Sequence, residues 1–519
     1  MANRPSVVSS DNWFDEMREQ FARAEFTLAK GTYEQATRRA QAPTAARILM
    51  ARILLKRDHN KAVEFLVQQA PTDTHGGERG LWAMYLGVGY SRMGEFQRAD
   101  HHFSEAERSL PKRDIPLLQY YRARRFLYEN RIDDAKRCHE RMKPGSSIDA
   151  RILSDLLNTF ILNREERYAD EARSLILLLE LLSRDRENHL EEWFHAVQNL
   201  AVLARELPSR QVADVAQAEV DRQVRWTDDF LYQRFQALKA VAWTRALRGD
   251  MLGCFRYLRL AEPTAPNDAF RAILSIDRAH FAGIIEEKTW ADDEISAAEQ
   301  IANRVDWNAM KGEERFGLLL LAQAFADRDQ EKARYYLARY KALDRSTSPL
   351  HRVADSPRAE ALAAYAEGVV RFAAGEKEEA ETLLRRAWVV FDRSGYDWRA
   401  GLAAQNLYVC TRRERWKHLA EDKFESYSDT WLEADFQHAI APAGSAPPRL
   451  PPMQRRVFEM LCAKMTTAEM ATSLKISPHT VRNHLKAVFK VYGVKNQSAL
   501  IAEAARRGEL PEMGRRRSR

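Results

Sequence analysis

Cysteine is scarce in this chain. Four residues, Cys138, Cys254, Cys410 and Cys462, lie too far apart for any metal-ligand spacing, which predicts free thiols in a reducing compartment. No Gly-x-x-x-x-Gly-Lys-Ser/Thr phosphate loop, His-Glu-x-x-His pair or Gly-x-Ser-x-Gly elbow occurs. The expectation is a protein without catalytic activity, cofactor or bound metal. Long apolar runs are also missing: "SLILLLELL" is broken by Glu180, and "GLLLLAQAFA" is far shorter than the roughly 18 residues of a membrane span. The opening "MANRPSVVSSDNWF" lacks the apolar core of a secretion signal. These absences predict a cytoplasmic protein without a membrane partner.

Alternating strand-like patterns are nearly absent too, and from about residue 12 to 435 one helical pattern follows another. The clearest unit is "LWAMYLGVGYSRMGEFQRADHHFSEAERSLP", with Leu86, Gly87, Tyr90, Gly94, Phe96, Ala99, Phe103, Ala106 and Pro111 at fixed offsets. Small residues such as Gly87 and Ala99 let two antiparallel helices touch, while Tyr90 and Phe103 fill the space beside them. A second unit carries Gly368, Gly375, Ala380, Leu384 and Ala387 in the same roles. Weaker copies centre on Ala36, Ala62, Ala135, Ala172, Ala213, Cys254, Ala297 and Ala333. This pattern resembles tetratricopeptide (TPR) repeats and predicts an all-α fold: about eight to ten hairpins stacked as an α-solenoid.

The first helices of such a stack line a concave groove suited to a peptide, a protein or a small effector. Arg122, Arg124 and Arg125 interleave with Tyr120, Tyr121 and Phe126. They are the candidate effector or peptide-carboxylate residues on that wall. Trp82, Trp193, Trp243 and Trp388 are expected between hairpins, and residues 388–435 as a helical cap. The Pro/Ala/Gly-rich segment 438–449 reads as a linker, giving a repeat domain over 1–437 and a separate domain over 450–519.

The last domain carries the charge. It holds 14 Lys and Arg against 5 Asp and Glu, so the whole of the +7 net charge sits there and the preceding 449 residues are slightly acidic. Within "ISPHTVRNHLKAVFKVYGVK", Ser477 and Pro478 open a helix and Gly493 closes it. Val481, Leu485, Val488, Phe489 and Tyr492 share one face, and His479, Arg482, Asn483, Lys486 and Lys490 share the other. The shorter helix "TAEMATSL" precedes it across a tight turn, which makes a helix-turn-helix.

In order, Leu450, Val457, Leu461, Thr466, Glu469, Met470, Ala471, Leu474, Ile476, Ser477, Thr480, Val481, Arg482, His484, Leu485, Gly493, Val494 and Asn496 follow a known pattern. Residues 450–507 resemble the four-helix DNA-binding domain of LuxR/FixJ-type bacterial transcription regulators. Three positions depart from it: Pro451 stands where a capping Thr is usual, Gln454 and Arg456 replace acidic residues, and Lys464 replaces a turn glycine.

The resemblance implies a transcription regulator on double-stranded DNA, nucleoid-associated, with helix 478–492 in the major groove. It implies base contacts from Arg482, Asn483 and Lys486, and phosphate contacts from Ser477, Thr480, Lys490, Lys495 and Asn496. It also implies pairing of two copies through a fourth helix, "SALIAEAARRG". RNA polymerase or a regulatory protein or peptide is the further partner expected. The competing reading is an interaction scaffold whose helix-turn-helix docks protein instead of DNA.

Overall fold

The computed structural model describes residues 13–38, 42–70, 76–142, 147–222, 227–285, 287–310, 312–343, 356–428, 430–440, 450–462, 465–492, 494, 497 and 500. Among these there are α-helices, short single-turn helices and turns, and no strand.

Eleven antiparallel hairpins follow one another among the described residues. The first six are Trp13–Ala22 with Phe26–Thr37, Thr44–Arg57 with His59–Gln68, Gly77–Met93 with Phe96–Ser109, Ile115–Tyr128 with Ile132–Arg141, Ile148–Arg164 with Tyr168–Leu182, and Leu190–Glu206 with Arg210–Asp221. The other five are Leu231–Leu247 with Met251–Ala261, Asp268–Ile284 with Lys288–Ala302, Phe316–Phe325 with Gln330–Ala342, Pro357–Ala373 with Lys377–Arg393, and Asp397–Thr411 with Glu414–Phe424. Trp431–Ile440 then caps the stack. The fold is a TPR-like α-solenoid. The sequence pattern stops at the tenth hairpin; the eleventh occupies the segment expected as a cap. The last helix runs to Ile440, three residues into the expected linker, and 441–449 lie outside the described residues.

Close packing explains the repeat residues. A Cβ built on Gly87 would stand 2.7 Å from the Phe103 ring, so only glycine lets helix Gly77–Met93 lie this near its partner. Gly94, at φ +83°, then turns the chain between them. Two repeat centres differ from the sequence reading. In the first hairpin the fully buried alanine is Ala29, two helical turns before Ala36, which is only half-buried. In the eighth, Ala297 is half-buried, and the alanines in the core are Ala291, Ala298 and Ala302. Ala29 lies 33 residues before Ala62, whereas Ala36 lies only 26 before it, so the buried alanine restores a step near the repeat length.

The groove does not stay open. Thr27 of the first hairpin donates its amide and hydroxyl to Asp229 at 2.9 and 3.0 Å, at the entry to the seventh. Phe26 packs on Phe230 with ring centres 5.7 Å apart, and Lys56 ion-pairs with Glu191. Further on, Tyr168 meets Tyr396, Trp243 stacks on Trp398, and His280 meets Trp431, all at 5.0–5.4 Å. Each turn of the superhelix thus seals against the next. One apolar core takes in residues from Met17 to Phe436, and a second, around Ala298, Trp307, Leu318 and Tyr336, fills the eighth and ninth hairpins.

Candidate nucleic-acid interface

The C-terminal domain is built from three described helices, Pro452–Cys462, Thr467–Leu474 and Pro478–Tyr492, around its own core. Val457, Phe458 and Leu461 of the first face Val481, Leu485, Val488 and Tyr492 of the third, with Phe458 and Tyr492 stacked at 5.4 Å. The expected fourth helix lies outside the described residues, apart from Gln497 and Leu500; the Leu500 side chain is buried in this core. Gly493 and Lys464 also lie outside them.

Local chemistry fixes the two-helix unit. Thr466 and Glu469 form a complete capping box: the Glu469 amide donates to Thr466 Oγ1 at 3.3 Å, and the Thr466 amide donates back to Glu469 Oε2 at 2.7 Å. Those hydrogen bonds from Thr466 hold the Glu469 carboxyl below its ordinary range. The helix ends on Lys475 at φ +54°, and the Ile476 amide closes the turn on the Ala471 carbonyl at 3.1 Å. Ser477 then caps the third helix, its Oγ accepting the Thr480 amide at 3.0 Å and lying 2.8 Å from the Thr480 hydroxyl.

With Val481, Leu485, Val488 and Tyr492 in the core, helical geometry sends His479, Arg482, Asn483, Lys486 and Lys490 outward, and all five are exposed. The helix contains no acidic residue. Among the described residues no carboxylate pairs with Arg482, Lys486 or Lys490; the domain's ion pair, Arg455 with Glu459 at 3.4 Å, is on the first helix. Arg482 to Lys490 spans eight residues, about 12 Å of helix axis, comparable to the width of a B-DNA major groove. A cationic stripe of that length, exposed and unpaired among the described residues, can exchange its counterions for phosphates. Lys495 and Asn496 lie outside the described residues.

The three arginines of the repeat domain do not share a site. Adjacent helical residues point about 100° apart. Arg125 is 4% exposed and bound to Asp100 at 2.8 Å and Glu129 at 2.6 Å, a structural tie between hairpins. Arg122 pairs with Glu107 at 3.0 Å. Arg124 alone faces the inner cavity, 4.1 Å from the Phe160 ring and 3.1 Å from the Tyr120 hydroxyl. Its companions there, Arg52, Lys56, Arg92 and His195, come from other hairpins and carry no common motif in the sequence.

Residues 449–504 match the family model described as bacterial regulatory proteins, luxR family. The spore germination protein GerE of Bacillus subtilis (strain 168) is 44% identical over 63 residues, which cover 85% of that protein and 12% of this one. The chain belongs to the LuxR family of bacterial regulatory proteins. In this LuxR-family protein the shared part is the helix-turn-helix domain alone. The whole chain is also similar to two solved helical-repeat structures. They are the APC/C hetero-tetramer Cut9-Hcn1 (15% identity, 96% of this chain and 90% of that one, TM-score 0.39) and yeast Tom70 (11%, 96% and 97%, TM-score 0.27). At those scores neither bears on function. No helix among the described residues is long and apolar enough to cross a membrane.

Proposed function

We propose that this LuxR-family regulator is a sequence-specific DNA-binding protein that lays helix Pro478–Tyr492 in the major groove. Two copies bind together, and an effector or partner received by the helical repeats controls them. The observation that carries this reading is the stripe of exposed, unpaired cations on a helix whose opposite face is locked in the core. Arg482 and Lys486 suit guanine O6 and N7, and Asn483 suits adenine N6 and N7. Lys490 and the capped turn at Ser477 and Thr480 suit backbone phosphates, as do Lys495 and Asn496. RNA polymerase or a regulatory protein is the further partner this role calls for.

The test is selection of binding sites from random duplex DNA with the full chain, followed by the triple variant Arg482→Ala, Asn483→Ala, Lys486→Ala. Each lost base contact removes about 1–3 kcal/mol of discrimination, so the variant keeps its fold and loses sequence preference. Lys490→Ala weakens all sequences alike and lowers the salt dependence by about one counterion. Equal preference in the triple variant and its parent refutes the assignment. Full regulation by a triple variant that no longer selects DNA would favour the docking-scaffold reading.

A further inference from the structure

Among the described residues the groove leaves a cavity of about 950 Å³, partly open to solvent, lined by the first helices of the opening hairpins and bounded on one side by Asp229, which Thr27 holds. That volume suits a small organic ligand more than a folded partner. Its wall combines rings, guanidiniums and carboxylates, the last being Asp114, Asp149, Asp185, Glu191, Glu192 and Asp229. Phe21, Phe26, Tyr121, Phe160 and Phe230 offer flat apolar surface. Arg52, Arg92 and Arg124 bring three guanidiniums inward from three different hairpins.

Most of the carboxylates have partners of their own: Asp149, Asp185 and Glu192 lie against His189, Asp114 against Arg113, and Asp229 accepts from Thr27, while Glu191 and Glu192 act on Arg52 only from beyond ion-pair distance. Lys56 is matched by Glu191, but among the described residues neither Arg52 nor Arg124 pairs with a carboxylate. Arg52 lies on the Phe21 ring at 4.4 Å and Arg124 on the Phe160 ring at 4.1 Å. Arg124 also meets the Tyr120 hydroxyl, and Arg92 donates to the Leu55 carbonyl. Stacking of this type fixes a guanidinium and leaves donor edges for a planar anion. Beside them Ser91, 2% exposed, lines the cavity with a hydroxyl that has no hydrogen-bond partner among the described residues. A buried hydroxyl without a partner is costly unless something fills it. His195 in the same wall is pushed down to about 4, by burial first and then by Lys56, Arg124 and Arg92 against Glu191. Kept neutral, it can accept or donate one hydrogen bond without adding charge.

We infer that this cavity is a ligand site for a small organic anion, its carboxylate or phosphate group seated on Arg52 and Arg124 and its apolar body against the ring-lined wall. This deepens, and rests on, the reading that the helical repeats receive an effector.

The experiment titrates the full chain with anilinonaphthalene sulfonate, an aromatic anion, and with phenylnaphthylamine, the same rings without the acid group. One equivalent of the sulfonate binds, at least tenfold tighter than the uncharged compound. Arg52→Gln and Arg124→Gln each lower its affinity at least tenfold, while circular dichroism and thermal unfolding stay as in the parent. Arg124→Lys, which keeps the charge, recovers part of the loss. Displacement by benzoate or by phenyl phosphate tells which acid group the arginines prefer. Equal binding of the two dyes, unchanged binding by both glutamine variants, or displacement by neither acid overturns the proposal. The underlying reading fails separately: an anion that fills the cavity yet leaves the affinity of the full chain for its selected DNA unchanged keeps the site and removes its control over the DNA end.

Discussion

Glu206 offers the sharpest test of how this solenoid holds its shape. Its carboxylate is fully buried and receives three guanidiniums. Arg205 donates at 2.6 and 2.8 Å, Arg399 at 2.7 and 3.1 Å, and Arg358 at 3.3 Å. Burial opposes the charge, yet these three neighbours hold the carboxyl far below the ordinary carboxylate range. The contact joins helix Leu190–Glu206 to Pro357–Ala373 and Asp397–Thr411, hairpins far apart in sequence. Glu206→Gln keeps the volume but removes the one carboxylate that the three guanidiniums share, leaving Glu313 to act on Arg358 from a distance. Stranding buried charge in this way costs about 3–5 kcal/mol. A repeat array need not unfold as a single unit, so the measurement is amide hydrogen exchange in helix Asp397–Thr411. At about 1.4 kcal/mol per decade, exchange there accelerates roughly a hundredfold to a thousandfold or more. The control is Glu360→Gln, which removes an exposed pair with Arg386 and costs less than about 1 kcal/mol. If the two variants exchange alike, the seal between superhelical turns does not depend on this cluster.

Two buried groups tilt stability with pH in opposite directions. His195, held at about 4 against an ordinary 6.5, stays neutral when folded. Its contribution of about 3 kcal/mol is complete above pH 6.5 and lost as pH falls to 4. Burial pushes Glu171 up to about 7, against the Asn163 hydrogen bond and Arg358, so its similar contribution is complete below pH 4.5 and lost as pH rises through 7. Urea midpoints followed from pH 4 to 8 should lose part of the acid limb in His195→Gln and part of the alkaline limb in Glu171→Gln; unchanged limbs would contradict the burial argument. In the DNA-binding domain, Lys475→Gly relieves a left-handed residue at φ +54° and raises stability by about 1 kcal/mol, read by thermal melting, with destabilisation as the contrary result.

Legibility followed the range of the interaction. Gly87, Ala99 and Phe103 lie within one hairpin, so their spacing already states which helix faces meet. The capping box of Thr466 and Glu469 and the Ser477 cap are likewise contacts within three residues. Register along a single helix was harder: Ala29 and Ala36 stand two turns apart on nearly the same face, and periodicity cannot choose between them. Burial could. The eleventh hairpin escaped because Lys417 stands where the other second helices carry a small residue, its packing alanine having moved to Ala420. Of the three arginines in "YYRARRF", helical rotation decided that only Arg124 faces inward; Glu107 and Asp100 of the preceding hairpin claim Arg122 and Arg125, and Glu129, one turn further along at the end of the same helix, adds to the hold on Arg125.

The sequence by itself determined the helical hairpins, the separate basic domain and the cationic outer face of helix Pro478–Tyr492, because each follows from periodicity, caps and charge along a short stretch. Only the tertiary structure decided that the solenoid packs against itself and forms a cavity lined by Arg52, Arg92, Arg124 and His195. Those residues are brought together by the curvature that accumulates as hairpins stack, and no local pattern encodes the sum of many small rotations.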